Sequence, residues 1–395
     1  MLEQGRMRAE PIGRIRLRLT PTRVKGWLWQ ALLLLSAVLV VWFFAHNAAE
    51  NLARKNLPFG FAFLERTAGF DIPFKLVDWV VTNTYGHAVY VAILNTLLIA
   101  ALSVVAATAL GLLLGLLRLS SNWLARNVAM GVVEAVRNTP QLVQIFFFNI
   151  AVLQTLPQTR NSLKFWDVAF LNIRGLYLPT PVWGEAALPT LLGFIAAIVV
   201  AVALWRMRAR LTQAWRPLLA AIAFGLPVLV LVVGWRSCAL AGFSVPELRG
   251  FNFRGGVQIP PELVALWFGL SLYASAFIAE IVRGAMQGIA HGQTEAALSL
   301  GLSRWQTLKL VILPQALRII VPPLTSQYLN IIKSTSLGAG IAYPEVFQIV
   351  IGTVLNQSGR AIEVIIIVMI FFLAINLITS TFMNWYNRAI ALKER

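Results

Sequence analysis

Residues Glu295 to Pro314 read EAALSLGLSRWQTLKLVILP, and the punctuation of this stretch decides how the rest of the chain is read. Glu295 to Leu300 predict one short helix, ended by Gly301, which supplies a left-handed turn that other residues resist. Ser303 and Gln306 have the spacing of a capping box, in which each side chain satisfies the other residue's backbone N–H and a second helix opens. Pro314 is expected to mark the far end, because a helix usually stops before the residue preceding proline. Ala296, Ala297 and Leu300 give this pair an apolar face on a water-facing loop. Two readings account for such a face: docking into a groove of a soluble partner, or lying flat at a membrane interface.

On either side of this loop the chain is strongly apolar. Of its 395 residues 58% are hydrophobic and 12% charged, against about 25% charged in soluble domains, and the mean hydropathy is +0.73. Stretches near the roughly 20 residues needed to cross a bilayer fall at about 27–46, 88–117, 130–156, 184–205, 217–240, 263–282, 317–333 and 361–384. The expected fold is therefore an all-α integral membrane protein with about eight transmembrane helices. The first span follows a basic tail as a signal peptide would, but its apolar core exceeds the roughly 7–15 residues of such a segment, so it reads as an uncleaved anchor.

The net charge of +17 would suggest nucleic acid on a soluble fold. Here it reports topology, because cytoplasmic loops are rich in Lys and Arg. With the N-terminus inside, the inner segments hold 20 Lys and Arg against five acids, and the outer ones 12 against 10. Seven of the inner cations lie in the tail, from Arg6 to Lys25, where contact with anionic membrane lipid is a secondary reading. Both termini are thus expected in the cytoplasm, and no nucleic-acid partner is expected. Cys238 is the one cysteine, which excludes an internal disulfide. His46, His87 and His291 are too scattered for a metal site.

The segments divide into a basic tail (1–26), an anchor with an outer loop (27–87), a stretch of helices at 88–156, an insertion at 157–262 and a second helical stretch at 263–390 that contains the loop 291–314. Pro58, Gly60, Gly69 and Pro73 break any long helix in the outer loop and suggest a short ordered cap or re-entrant piece. The spans at 184–205 and 217–240 form a plain hydrophobic hairpin, read as a peripheral packing module. Gly111 and Gly115 have the GxxxG spacing that lets membrane helices approach closely.

Polar residues inside spans are costly and often functional. Glu134 and Arg137 are spaced i, i+3 and can pair on one helix face, as a gate near the inner mouth or as a self-neutralised interfacial pair. The span at 317–333 is short and holds Pro322, Pro323, Gln327 and Asn330, so a broken polar helix lining protein or water is expected there. With Asn95, Thr96, Ser271, Tyr273 and Ser275, the residues Gln327 and Asn330 are candidates for a translocation path; the competing role for each is helix packing.

The spacing EAA, three residues, Gly, nine residues, then Val311, Ile312, Leu313, Pro314 resembles the EAA loop of bacterial ABC importer membrane subunits, with Val311 where Ile is usual. EAVRNTP at Glu134 to Pro140, with Asn138 where glycine is common, is similar to the ExxRxTP signature of the polar-amino-acid permeases. SLYASAFIAEIVRGAMQGIAHGQTEAA at Ser271 to Ala297, and NTLL at Asn95 to Leu98, extend the likeness over about 88–156 and 263–390. The insertion is absent from shorter members. Together with the anchor and AGFDIP at Ala68 to Pro73, it resembles the Q-type subunits of general L-amino-acid permeases.

The resemblance implies an ABC importer permease core with an added N-terminal anchor and an inserted helical hairpin, in a bacterial inner membrane. It implies that Glu295, Ala296, Ala297, Gly301 and Pro314 belong to the loop that couples to ATPase subunits. The implied partners are two ATPase subunits, a second permease subunit that is a different chain, and a periplasmic amino-acid-binding protein. No GxxxxGK[ST], HExxH or GxSxG occurs, so no cofactor and no catalysis are expected of this chain itself, ATP being bound by the partners. The alternatives are an ion-coupled secondary amino-acid carrier, disfavoured by the lack of repeat symmetry, and a membrane scaffold or sensor.

Overall fold

A computed structural model describes residues 21–54, 60–181, 187–207, 216–237 and 243–390. The basic tail before Pro21, Pro58, Arg208, Arg210 and Cys238 lie outside them. The chain forms two compact units, Met1–Phe61 and Ala62–Arg395. The first contains one long helix, α1 (Pro21–Arg54). Its apolar side chains from Trp27 to Phe44 are exposed, as suits a helix whose solvent is lipid.

In the second unit a cap that opens with a 3-10 turn, Ala62–Glu65, and is otherwise irregular precedes α2 (Tyr85–Arg118). Phe63, Ala68, Ile72 and Trp79 of the cap are buried with Tyr85, Ala88, Val91 and Ala92 of α2 and with Val346, Ile349 and Val350. The Thr84 hydroxyl accepts from the His87 N–H and starts α2. Next, α3 (Trp123–Arg137) begins at an Asn122 cap, whose side chain accepts from the Ala125 N–H. The helix α4 (Gln141–Phe146) continues through a π-helical stretch to Val152.

The expected single span at 130–156 is thus corrected to two helices. Pro140 lacks an N–H and restricts Thr139. The carbonyls freed at the break, of Val136 and Thr139, are taken up by the Gln144 side-chain amide at 2.8 and 3.1 Å.

The insertion holds α5 (Ala187–Met207) and α6 (Arg216–Ser237), which lie against each other with Trp205 edge-on to Phe224. Among the described residues flanking them, short strands and a single 3-10 turn, Thr159–Asn161, take the place of long helices, which corrects the all-α expectation. Four strands, β1 (Leu163–Phe165), β2 (Ala169–Asn172), β3 (Gly175–Leu178) and β4 (Thr180–Pro181), precede the hairpin. Four more, β5 (Phe243–Ser244), β6 (Glu247–Arg249), β7 (Asn252–Arg254) and β8 (Val257–Ile259), follow it. An antiparallel sheet runs in the order β1-β2-β3-β8, with Leu176 opposite Ile259. Gly175 at φ +120° is required there, since a Cβ would lie 2.1 Å from the Ile259 carbonyl oxygen. The small core is Phe170, Tyr177 and Phe253, with ring centroids 4.6 and 4.8 Å apart.

The central helix is α7 (Pro261–Gln287), the most buried of the long apolar helices. After it come α8 (His291–Ser299), α9 (Arg304–Thr307), α10 (Leu313–Ser334), α11 (Leu355–Ser358) and α12 (Ala361–Ile390). Two expectations fail on α10. Pro314 stands in its first turn, where a missing N–H costs nothing, and a π-helical stretch at Leu308–Ile312 joins α9 to it without a break. Pro322 and Pro323 leave the helix continuous, so the short broken span at 317–333 is corrected to part of an apolar helical run, Arg304–Ile341. Neighbouring helices hold such a helix together although its prolines remove two ladder bonds. Among the described residues five helices are long and apolar enough to cross a membrane, and Gln141–Thr155, Leu192–Trp205 and Leu219–Val230 are shorter apolar helices.

Candidate functional site

The loop that opened the sequence analysis folds by its own local chemistry. The Leu302 N–H donates to Ala297 O at 3.2 Å and the Gly301 N–H to Leu298 O at 2.9 Å, closing α8 around Gly301 at φ +80°. The capping box is present in full: the Gln306 N–H donates to Ser303 Oγ at 3.3 Å, and the Ser303 N–H to Gln306 Oε1 at 2.9 Å. Ala297 and Thr307 turn inward, each 3% exposed, whereas Leu300 is 83% and Trp305 69% exposed. Glu295, Ala296 and Gly301 also face outward. A cleft of about 810 Å³ separates the pair from the end of α7, lined by Met286, His291, Thr294, Leu298 and Arg304 among others. The arrangement is a pair of short helices closed by local hydrogen bonds, with Leu300 and Trp305 exposed beside the turn.

A second feature is a cavity of about 130 Å³ between α4, α7 and α10, lined by both polar and apolar side chains. Tyr273, Gln327 and Asn330 line it together with Gln141, Phe277 and Ser334. Three of the path candidates are therefore brought to one place. Gln141 was missed by sequence reasoning; the signal available was its position directly after the Glu134–Pro140 signature. The lining offers amides and hydroxyls and no full charge.

Other candidates are committed elsewhere. The Asn95 amide donates to Phe74 O and Pro344 O, both at 2.9 Å, and the Tyr343 hydroxyl donates to Asn95 O at 3.1 Å. Thr96 Oγ1 donates to Ala92 O and accepts from the Val346 N–H at 2.9 Å. Both side chains fasten the segment 343–346 to α2 and the cap, away from the cavity. Ser275 donates to Leu272 O, and Ser271 is buried; neither lines the cavity. Within the fastened segment Glu345 is fully buried and accepts from the Phe347 and Gln348 N–H groups at 2.8 and 2.6 Å. Burial outweighs these bonds and pushes its carboxyl up to about 7.

The expected Glu134–Arg137 pair is replaced by a different one. Glu134 is exposed on α3, while Arg137 lies 3.9 Å from Glu280 of α7 and 5.4 Å from the centre of the Phe277 ring. Glu280 also pairs with Arg118, the last residue of α2, and with Arg283 of its own helix. One carboxylate thus ties the ends of α2 and α3 to α7. The i, i+3 spacing from Glu134 to Arg137 misled because a partner on another helix is invisible to it.

Gly111 and Gly115 lie at the α2–α7 contact, where a Cβ would meet Ile278 at 2.5 Å and Val282 at 2.8 Å respectively. Close approach of these two helices places the Glu280 cluster at the end of α2 and orients the segment that leads into α8.

Comparison with known proteins agrees with this anatomy. The family described as binding-protein-dependent transport system inner membrane component matches residues 107–392. The chain is 47% identical to a putative amino-acid ABC transporter permease protein, YhdX, of Escherichia coli, over 94% of this chain and 95% of that one. It is 43% identical to the general L-amino acid transport system permease protein AapQ of Rhizobium johnstonii, over 93% and 92% of the two chains. It is 34% identical to the glutamate/glutamine/aspartate/asparagine transport system permease protein BztB of Rhodobacter capsulatus, over 92% of each. With the family match covering most of the helical core and these relatives nearly the whole length, the chain belongs to the inner membrane components of binding-protein-dependent transport systems, the membrane subunits of ABC importers.

Proposed function

We propose that this chain is the permease subunit of an ATP-driven amino-acid importer in a bacterial inner membrane, and that it couples to ATPase subunits through Glu295 to Pro314. The observation that carries this reading is the locked helix pair with Leu300 and Trp305 outside. Burying an exposed Leu or aromatic side chain contributes about 1.5–3 kcal/mol, and a tip held by a capping box and a left-handed glycine transmits a push as a rigid body. Two ATPase subunits, each bearing its own ATP, would grip this chain and a second, different permease, and a periplasmic binding protein would deliver the solute. Counted as crossings, the three shorter apolar helices would make eight, and the excess of Lys and Arg on one side supports both termini in the cytoplasm. The cavity at Tyr273, Gln327 and Asn330 is the candidate stretch of the path, its neutral amides and hydroxyls suited to a zwitterion.

The test is reconstitution of the tagged chain with its co-purifying subunits in vesicles, followed by uptake and ATP hydrolysis. Gly301→Val puts a β-branched residue at φ +80°, a conformation that costs about 1–3 kcal/mol. It is expected to abolish uptake while hydrolysis persists. Gly301→Asn, which tolerates a left-handed turn, is expected to stay coupled. Normal uptake in the valine variant would remove the loop from the mechanism. A chain that purifies alone and transports without ATP would favour the secondary carrier.

A further inference from the structure

Arg137 ends α3 with a guanidinium that the Glu280 cluster does not fully use. It lies 3.9 Å from Glu280, beyond the range of a hydrogen bond, and that carboxylate is engaged elsewhere. Arg118 Nη1 donates to its Oε2 at 2.5 Å, and Arg283 donates to both of its oxygens. Three cations around one carboxylate leave a positive surplus. Of the three side chains Arg137 is the most open, 34% exposed against 10% for Arg118 and 28% for Arg283.

Position connects this surplus to the cavity between α4, α7 and α10. The Arg137 guanidinium lies 5.4 Å from the centre of the Phe277 ring, and that ring centre is 5.0 Å from the centre of Tyr273. Both rings line the cavity with Gln141, Gln327 and Asn330. Because α7 runs toward α8, Phe277 stands on the coupling-loop side of Tyr273, about 15 Å of helix before Gln287. An arginine at such a depth is costly and faces a partner or a solute path. A solute moving inward leaves the neutral lining and meets Arg137 next. An amino acid brings a carboxylate that the amides and hydroxyls of the cavity leave without a countercharge, and the planar fork of a guanidinium matches a carboxylate through two parallel N–H bonds.

We propose that Arg137 binds the α-carboxylate of the solute as it leaves the cavity at Tyr273, Gln327 and Asn330 for the cytoplasm, and so selects solutes that carry this group. This rests on the importer reading. The Phe277 face holds the guanidinium by cation–π attraction, and Glu280, bonded to Arg118 and Arg283, leaves its N–H groups free to turn to the solute.

The experiment uses the reconstituted full complex and whichever standard amino acid the wild-type complex takes up fastest. Arg137→Gln is expected to lower the maximal uptake rate about tenfold, the worth of a lost charge-assisted pair. Arg137→Lys keeps the charge without the fork and is expected to recover part of that loss. A second readout separates solute contact from a purely structural role: displacement of the radiolabelled amino acid from the detergent-purified complex by the unlabelled amino acid and by its methyl ester, which has no carboxylate charge. Wild type should prefer the free acid about tenfold, and Arg137→Gln should bind the two nearly equally. A wild-type uptake rate in Arg137→Gln would overturn the proposal, as would a lowered rate with the preference for the free acid retained. Wild-type complex that takes up no standard amino acid would strike at the importer reading itself, a result distinct from either.

Discussion

Replacing Gly111 by alanine adds one methyl group at the place where α2 and α7 come closest. A Cβ there would stand 2.5 Å from Ile278 Cγ2, 2.6 Å from Ile278 Cβ and 3.0 Å from the Ser275 carbonyl oxygen, where ordinary contact begins at 3.4 Å. Ile278 cannot swing aside, because a β-branched side chain in a helix has one strongly preferred rotamer, and the carbonyl is part of the α7 backbone. The helices must therefore part locally by about 1 Å, and overpacking of this kind costs about 1–3 kcal/mol.

Gly115→Ala meets Val282 at 2.8 and 2.9 Å and the Ala279 carbonyl oxygen at 3.0 Å, so its cost is of the same order. Because one separation relieves both clashes, the double variant should be less destabilised than the sum of the singles. Gly131 of α3 has no atom within 4 Å of its Cβ position, and alanine there should be neutral or stabilising by up to about 1 kcal/mol. Thermal unfolding of the purified complex in detergent, followed by fluorescence, reads all four variants. A Gly111→Ala midpoint equal to wild type, or a Gly131→Ala midpoint lowered as much as that of Gly111→Ala, would refute the packing argument.

Three other outcomes are expected. Asn95→Ala leaves the Phe74 and Pro344 carbonyls without their donor and should cost about 2–5 kcal/mol, read as a lowered unfolding midpoint with the 343–346 segment opened to proteolysis. Glu345 has its carboxyl raised from 4.5 to about 7, so ionisation is harder in the folded protein than in the unfolded one. Stability should fall by about 3 kcal/mol between those two values as pH rises, then level off, and Glu345→Gln should flatten that part of the pH profile. Glu280→Gln removes the one carboxylate shared by Arg118, Arg137 and Arg283 and should cost about 1–3 kcal/mol. A compensating Arg137→Gln is expected to recover part of that loss, and no recovery would show that Arg137 is not coupled to Glu280.

How much could be read without coordinates depended on the range of the interactions. Gly301, Ser303 and Gln306 act over three to five residues, so the turn and the capping box were legible as letters and appear as hydrogen bonds. The apolar runs were legible because each helix must satisfy its own backbone in lipid. Proline misled in three places for one reason: its local rule depends on what surrounds it. Pro140 does break a helix, Pro314 sits harmlessly in a first turn, and Pro322 and Pro323 are carried by neighbouring helices.

Tertiary structure alone decided the rest. Asn95 and Thr96 look like path residues until the segment around Pro344, some 250 residues away, claims their hydrogen bonds. Glu280 takes Arg137 from Glu134 because α7 packs against α3. The sheet was invisible because β3 pairs with β8 across the whole hairpin, and strands of three or four residues carry too little alternation to announce themselves. Sequence by itself determined the membrane class, whose cause is composition, and the helix–turn–helix shape of Glu295 to Pro314, whose cause is short-range bonding, while its motifs carried the resemblance to the family. The assignment of polar side chains to cavity, fastening or ion cluster belonged to the fold, because a hydrogen-bond partner is chosen by distance in space and not by distance along the chain.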